Sequence, residues 1–150
     1  MVEPAGRGTL PTPPAPQGHY VPVVVHAGTA YTAGMTPRVD GRLAVRGLVG
    51  ADLTVAEARA AAGLAASNAV AAVADAVGGL DRVRRCLRLT VYVACRGDFT
   101  QHSAVADGAS EVLRDWLGER GAVARSAVGV SSLPSGAPVE VELTCAVTAE

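Results

Sequence analysis

Residues 82–95 constrain the fold more than any other stretch of the chain. Val83, Leu87, Leu89, Val91 and Val93 alternate with Arg82, Arg84, Arg88, Thr90 and Tyr92. A period of two sends successive side chains to opposite faces of a strand. A strand this long, apolar on one side, predicts a sheet with one face on helices and one more polar face. Two segments can supply those helices. Thr54-Val55-Ala56-Glu57 is a capping box, in which each side chain satisfies the other residue's free backbone N–H. An alanine-rich run continues to Val77, with Leu64, Asn68, Ala71 and Asp75 at helical spacing and Gly78-Gly79 as the C-cap. A second helix is predicted over residues 101–117, with Val105, Ala109, Val112, Leu113 and Trp116 as its apolar stripe and Gly118 as its stop.

Four further strands flank these elements. Residues 20–25 and 29–35 read as a pair turned by His26-Ala27-Gly28. Residues 36–53 are a glycine-containing connection with room for a short strand near Leu43-Val45. Residues 123–130 and 138–148 are the last two strands, joined by Leu133-Pro134-Ser135-Gly136. The order strand, strand, helix, strand, helix, strand, strand reads as α+β, a mixed sheet carrying two helices on one face. The 150 residues suit one domain over 19–150, preceded by an extended Pro-rich arm over 1–18.

Composition narrows the chemistry. Net charge is −1, so nothing in the electrostatics favours nucleic acid or an anionic membrane. Residues 1–17 lack the apolar core of a signal peptide, and no run is expected to approach a membrane span. Hydrophobic residues make up 49% of the chain and aromatics only 3%, which suggests a subunit that buries further surface against copies of itself. All 13 basic residues are arginine, which excludes lysine Schiff-base chemistry and a lysine-anchored pyridoxal cofactor. No cofactor is called for. No CxxC or HExxH pattern points to a metal, and Ser131-Ser132 lie outside a GxSxG context.

Cys86, Cys95 and Cys145 are an odd number of distant cysteines, expected as reduced packing residues in a cytoplasm. Strand alternation assigns Cys86 and Cys95 to opposite faces, and Arg82, Arg84 and Arg88 to one face. Without an aromatic platform, that arginine cluster is expected at a subunit contact or in solvent.

The chemistry-bearing stretch is Ala124-Arg125-Ser126-Ala127-Val128-Gly129-Val130-Ser131-Ser132-Leu133-Pro134, followed by Val139-Glu140-Val141-Glu142. Arginine presents a planar fork of donors that matches a carboxylate. Glu140 and Glu142 share strand parity, opposite Val139, Val141 and Leu143. On neighbouring strands, Arg125 and an acid would hold an anionic small molecule beside a polar reaction partner. Alternatively, Arg125 is an ion-pair partner of Glu140 or Glu142.

These residues resemble the Rid (YjgF-like) family of small enamine/imine deaminases. The resemblance runs from about Gly18 to Val147 and includes Tyr20, Tyr31-Thr32-Ala33-Gly34, Leu80-Asp81-Arg82-Val83 and Asp98-Phe99. It implies a chorismate-mutase-like fold and a homotrimer whose sheets form a central barrel, with clefts between subunits. It implies further that Arg125 binds the carboxylate of a small imine, that Glu140 positions or activates water, and that Tyr20 closes the pocket. Ala33, Gly34, Ala127 and Asp107 would line the substrate site. The implied reaction is hydrolysis of a 2-imino acid to a 2-oxo acid and ammonia. Two positions depart from the family pattern. Ala33 stands where a serine is frequent, and Asp107 is aligned where an asparagine is common. Both leave open a biosynthetic enzyme of the same fold acting on another imine or carbonyl compound, or a non-catalytic trimer that binds a metabolite.

Overall fold

A computed structural model describes residues 8–148; the first seven residues of the Pro-rich arm lie outside that range. Strands β1 (Val23–His26) and β2 (Thr29–Thr32) form a hairpin turned by Ala27-Gly28. Both turn residues have positive φ, 50° and 77°, the conformation whose twist matches that of a two-residue hairpin. Both strands are shorter than expected. Pro22 has no N–H to give a ladder, although its carbonyl still accepts the Ala33 N–H at 2.8 Å. A small separate ladder joins β3 (Arg38–Val39) to β4 (Arg42–Leu43).

Helix α1 (Val55–Val77) begins at the capping box, where Glu57 N–H donates to Thr54 Oγ1 at 3.1 Å and Thr54 N–H donates to Glu57 Oε1 at 3.2 Å. It ends at left-handed Gly78, whose N–H donates to the Ala74 carbonyl. Its buried face carries Ala58, Ala62, Ala65, Ala69 and Val73, while Asp75 is exposed. Asn68 is buried, and its Nδ2 donates to the Thr36 and Arg38 carbonyls, at 3.0 Å each, tying the connection to the helix. By length and hydropathy α1 would suffice to cross a membrane, which corrects the expectation that no run approaches a span. Two thirds of its apolar window (67%) is buried inside the fold, as in a core helix.

Strand β5 (Val83–Ala94) follows a single helical turn at Leu80–Arg82, and helix α2 (His102–Leu117) leads to β6 (Ala124–Val130) and β7 (Val139–Val147). The sheet order is β1-β2-β7-β5-β6. Only β5 and β6 are parallel, as a crossover through α2 requires. Leu89, Val91 and Val93 of β5 and Val139, Val141 and Leu143 of β7 face the helices and are buried. Gly108 lets α2 approach α1, since a Cβ there would overlap the Arg59 carbonyl.

Two sequence expectations for β5 are corrected. Its register against β7 slips between Val83 and Arg85 and again between Cys86 and Arg88. Each irregularity advances the strand by one residue. Cys86 therefore turns inward, and Leu87 turns outward at 41% exposure. Cys86 and Cys95 are both buried rather than on opposite faces, and Cys95 lies beyond the end of β5. Arg82 sits in the preceding turn, so it does not share a strand face with Arg84 and Arg88.

Candidate functional site

Glu140 is the second residue of β7, opposite Tyr92 of β5. Its parity sends it to the sheet face away from the helices, with Glu142 two residues on. The chain leaving β2 bends past it at Gly34, where any Cβ would overlap the Glu140 carboxylate. A side chain there would have to push the carboxylate aside, so glycine is favoured by close approach rather than by φ. The carboxylate borders a cavity of about 180 Å³ shared with Tyr20, Gly34, Met35, Arg38 and Ser135, and with residues 14–17 of the N-terminal arm. Partial burial, followed by the nearby charge of Glu142, pushes the Glu140 carboxyl above its ordinary pKa. Glu142 is engaged elsewhere, accepting the Tyr92 hydroxyl at 2.8 Å. That hydrogen bond, with burial, raises the Tyr92 pKa.

Tyr20 is 46% exposed at the cavity rim, and its phenolic oxygen accepts the Gln17 N–H at 3.0 Å. Tyr20 thus holds the arm against the cavity. Ala33 is tied by its N–H to Pro22 and contributes no polar side chain.

Arg125 lies elsewhere. It stands on β6 opposite Leu89, on the helix-facing side of the sheet, as does Ala127 opposite Val91. Its Nη1 donates to Asp107 Oδ1 at 2.8 Å and Ser110 Oγ at 2.9 Å, and its Nη2 donates to Ser103 Oγ at 2.8 Å. Its ion-pair partner is therefore Asp107, neither Glu140 nor Glu142. Among the described residues its Nε makes no hydrogen bond. β5 separates β6 from β7, which corrects the reading of Arg125 and Glu140 on neighbouring strands. Within one chain the two also lie on opposite sheet faces, so Glu140, Gly34 and Tyr20 converge while Arg125, Asp107 and Ala127 form a second group.

Sequence reasoning overlooked Ser103 and Ser110, which flank the already named Asp107, and it overlooked Arg38. Ser103, Asp107 and Ser110 are spaced by four and three residues along α2, a helical stripe that could have been read as one polar face. Arg38 shares the Glu140 cavity. Its guanidinium donates to Thr36 Oγ1 and the Gly41 carbonyl close by in sequence, and to Ser135 Oγ across the fold, a contact that no local pattern announces.

This architecture, a mixed sheet backed by two helices, has known counterparts. Residues 4–144 match the family described as "YjgF/chorismate_mutase-like, putative endoribonuclease". The chain belongs to the YjgF/chorismate-mutase-like family. It is 42% identical to Protein TCP17 of Trypanosoma cruzi over 134 residues, 89% of this chain and 84% of that protein. Protein Atu1372 of Agrobacterium tumefaciens, of unknown function, superposes with a TM-score of 0.88 at 39% identity, covering 94% of this chain and 87% of that one. A Shewanella oneidensis structure, named in the same endoribonuclease terms, superposes with a TM-score of 0.89 at 32% identity over 93% and 92% of the two chains.

Proposed function

We propose that the protein hydrolyses small imines, the 2-imino acids foremost, to 2-oxo acids and ammonia. The observation that carries this reading is the half-buried Glu140 carboxyl, held over Gly34 in a small cavity and easier to protonate than a carboxyl in water. A protonated imine carbon is already electrophilic, so the protein needs only to place a water and move protons. A carboxyl group of raised pKa suits both tasks, and such acid–base assistance is worth about 10²–10⁴ in rate. Arg125 anchors the substrate carboxylate through its Nε edge, with Asp107 and Ser103 fixing the plane of the guanidinium. Because Arg125 and Glu140 face opposite sides of one sheet, the complete site lies in a cleft between copies, as in a homotrimer. An endoribonuclease would need attraction for a polyanion, which a net charge of −1 does not supply.

The Arg125–Asp107 ion pair and the missing hydroxyl at Ala33 favour a second reading within the same chemistry, in which the substrate is another imine or carbonyl compound without a free carboxylate. One experiment separates the two. Imines generated from small, branched and aromatic amino acids by an amino-acid oxidase are offered with semicarbazide as competitor. Wild type is expected to accelerate imine loss, Glu140→Gln to slow it by about 10²–10⁴, and Arg125→Ala to lose turnover while keeping its oligomeric state. Undiminished activity in Arg125→Ala would sink the anchor role. No acceleration with any 2-imino acid would move the assignment to the second reading.

A further inference from the structure

The two irregularities of β5 bring Cys86 directly opposite Cys145 of β7, their sulfurs 3.9 Å apart. Neither thiol is needed by the deamination site. We infer that Cys86 and Cys145 form a redox-active dithiol, a modification site that a small two-electron oxidant of the peroxide class converts to an intrachain disulfide.

The geometry fits this chemistry. Directly opposed residues of an antiparallel pair have Cα atoms about 4.5–5.5 Å apart, inside the roughly 4.4–6.8 Å that disulfides span. The sulfurs need approach by less than 2 Å to reach the bonding distance of about 2.0 Å. Irregular pairing on both sides of Cys86 leaves that part of the strand outside the regular ladder, where such a shift meets least resistance.

The two thiols are not equivalent. Cys145 S–H donates to the Cys86 sulfur. That hydrogen bond, with the nearby Arg120 and Arg85 guanidiniums, favours the Cys86 thiolate against the opposing effect of burial. The same contact pushes the Cys145 thiol up. Cys86 also borders a surface hollow of about 330 Å³ between Arg85, Leu87 and residues 122–124. Cys86 is thus the attacking sulfur and Cys145 the resolving one.

The balance is simple. The Cys86 thiolate attacks one peroxide oxygen, the O–O bond breaks, and the other oxygen leaves as water after taking up a proton, giving a sulfenic acid. Cys145 sulfur then attacks Cys86 sulfur and the S–O bond breaks; the sulfenic hydroxyl leaves with the Cys145 proton as a second water, and the S–S bond forms. Two thiols lose two electrons and the peroxide gains them.

The test treats the intact chain with hydrogen peroxide under native conditions, then counts thiols and maps peptides after unfolding in an alkylating agent. The titratable thiols are expected to fall from the three of the reduced chain to one. The intact mass should lose two hydrogens, the peptides carrying Cys86 and Cys145 should be linked, and dithiothreitol should reverse all of this. In Cys145→Ala, Cys86 should stop at a sulfenic acid that dimedone captures. Three thiols remaining at high peroxide, oxidation confined to Cys95, or disulfides formed only between copies would each overturn the proposal. The wild-type map decides even if the variant does not fold.

Discussion

Glu140 carries a carboxyl group that folding makes harder to ionise. In the folded chain its pKa is raised, first by burial and then by the Glu142 charge. A folded-state pKa above the unfolded value means the folded protein binds more protons in the intervening range. The group's stabilising contribution is therefore complete below the ordinary glutamate pKa and is lost as pH rises through the folded value. At neutral pH the ionised Glu140 opposes folding, and Glu140→Gln removes that opposition. The variant should be more stable than wild type near pH 7, with the gap closing as the pH drops below the ordinary carboxylate range; thermal melts across pH check this. A variant destabilised at pH 7 would mean that the carboxylate has a stabilising partner. Loss of turnover together with a gain in stability is the pattern expected of a site kept at some cost to the fold.

At the scale of elements, the contact between α1 and α2 depends on Gly108. Its Cβ would meet a backbone carbonyl, which cannot rotate aside as a side chain could. Gly108→Ala should cost about 1–3 kcal/mol as overpacking, lowering Tm by about 3–10 °C in a chain of this size. Gly97→Ala, where a Cβ meets nothing, is the control. Equal melting temperatures for the two variants would show that the helices can move apart at little cost.

The helices were legible in sequence because their signals are local: the capping box at Thr54 and Glu57, the glycines at 78 and 118, and the stripe through Val105 and Leu113. The hairpin at Ala27-Gly28 was legible for the same reason, and so was the parity of Glu140. The irregularities in β5 were not, because they are defined only against β7, which lies more than forty residues further along the chain. The same non-locality hid the insertion of β5 between β6 and β7 and the partners of Arg125. Its stretch could be read as carrying an anion-binding arginine, but nothing near residue 125 announces a carboxylate on α2. The Cys86–Cys145 pair was missed because alternation without the irregularities points the Cys86 thiol outward.

The whole molecule exposes apolar surface that a free monomer would leave wet. Val24 of β1 and Tyr31 of β2 are cross-strand neighbours, 52% and 50% exposed, and Val128 of β6 is 43% exposed. All three lie on the sheet face that carries no helix. Burying such a face against other copies is the ordinary remedy. Light scattering on the purified protein should give the mass of three 15.1 kDa chains. Tyr31→Glu places a charge in the middle of this face and should release smaller species. Imine hydrolysis should fall with it, although Tyr31 does not line the Glu140 cavity. A Tyr31→Glu protein that stays trimeric would place the interface elsewhere.

The sheet that divides Arg125 from Glu140 has a genetic consequence. If each cleft draws its anchor from one copy and its proton-handling group from the next, the defects of Arg125→Ala and Glu140→Gln are not borne by the same clefts once the chains mix. Two inactive alleles expressed together would restore activity at about one cleft in four under random assembly. An intact cleft would appear wherever a neighbouring pair happened to supply both good halves. A population carrying both lesions would then look healthier than either parent.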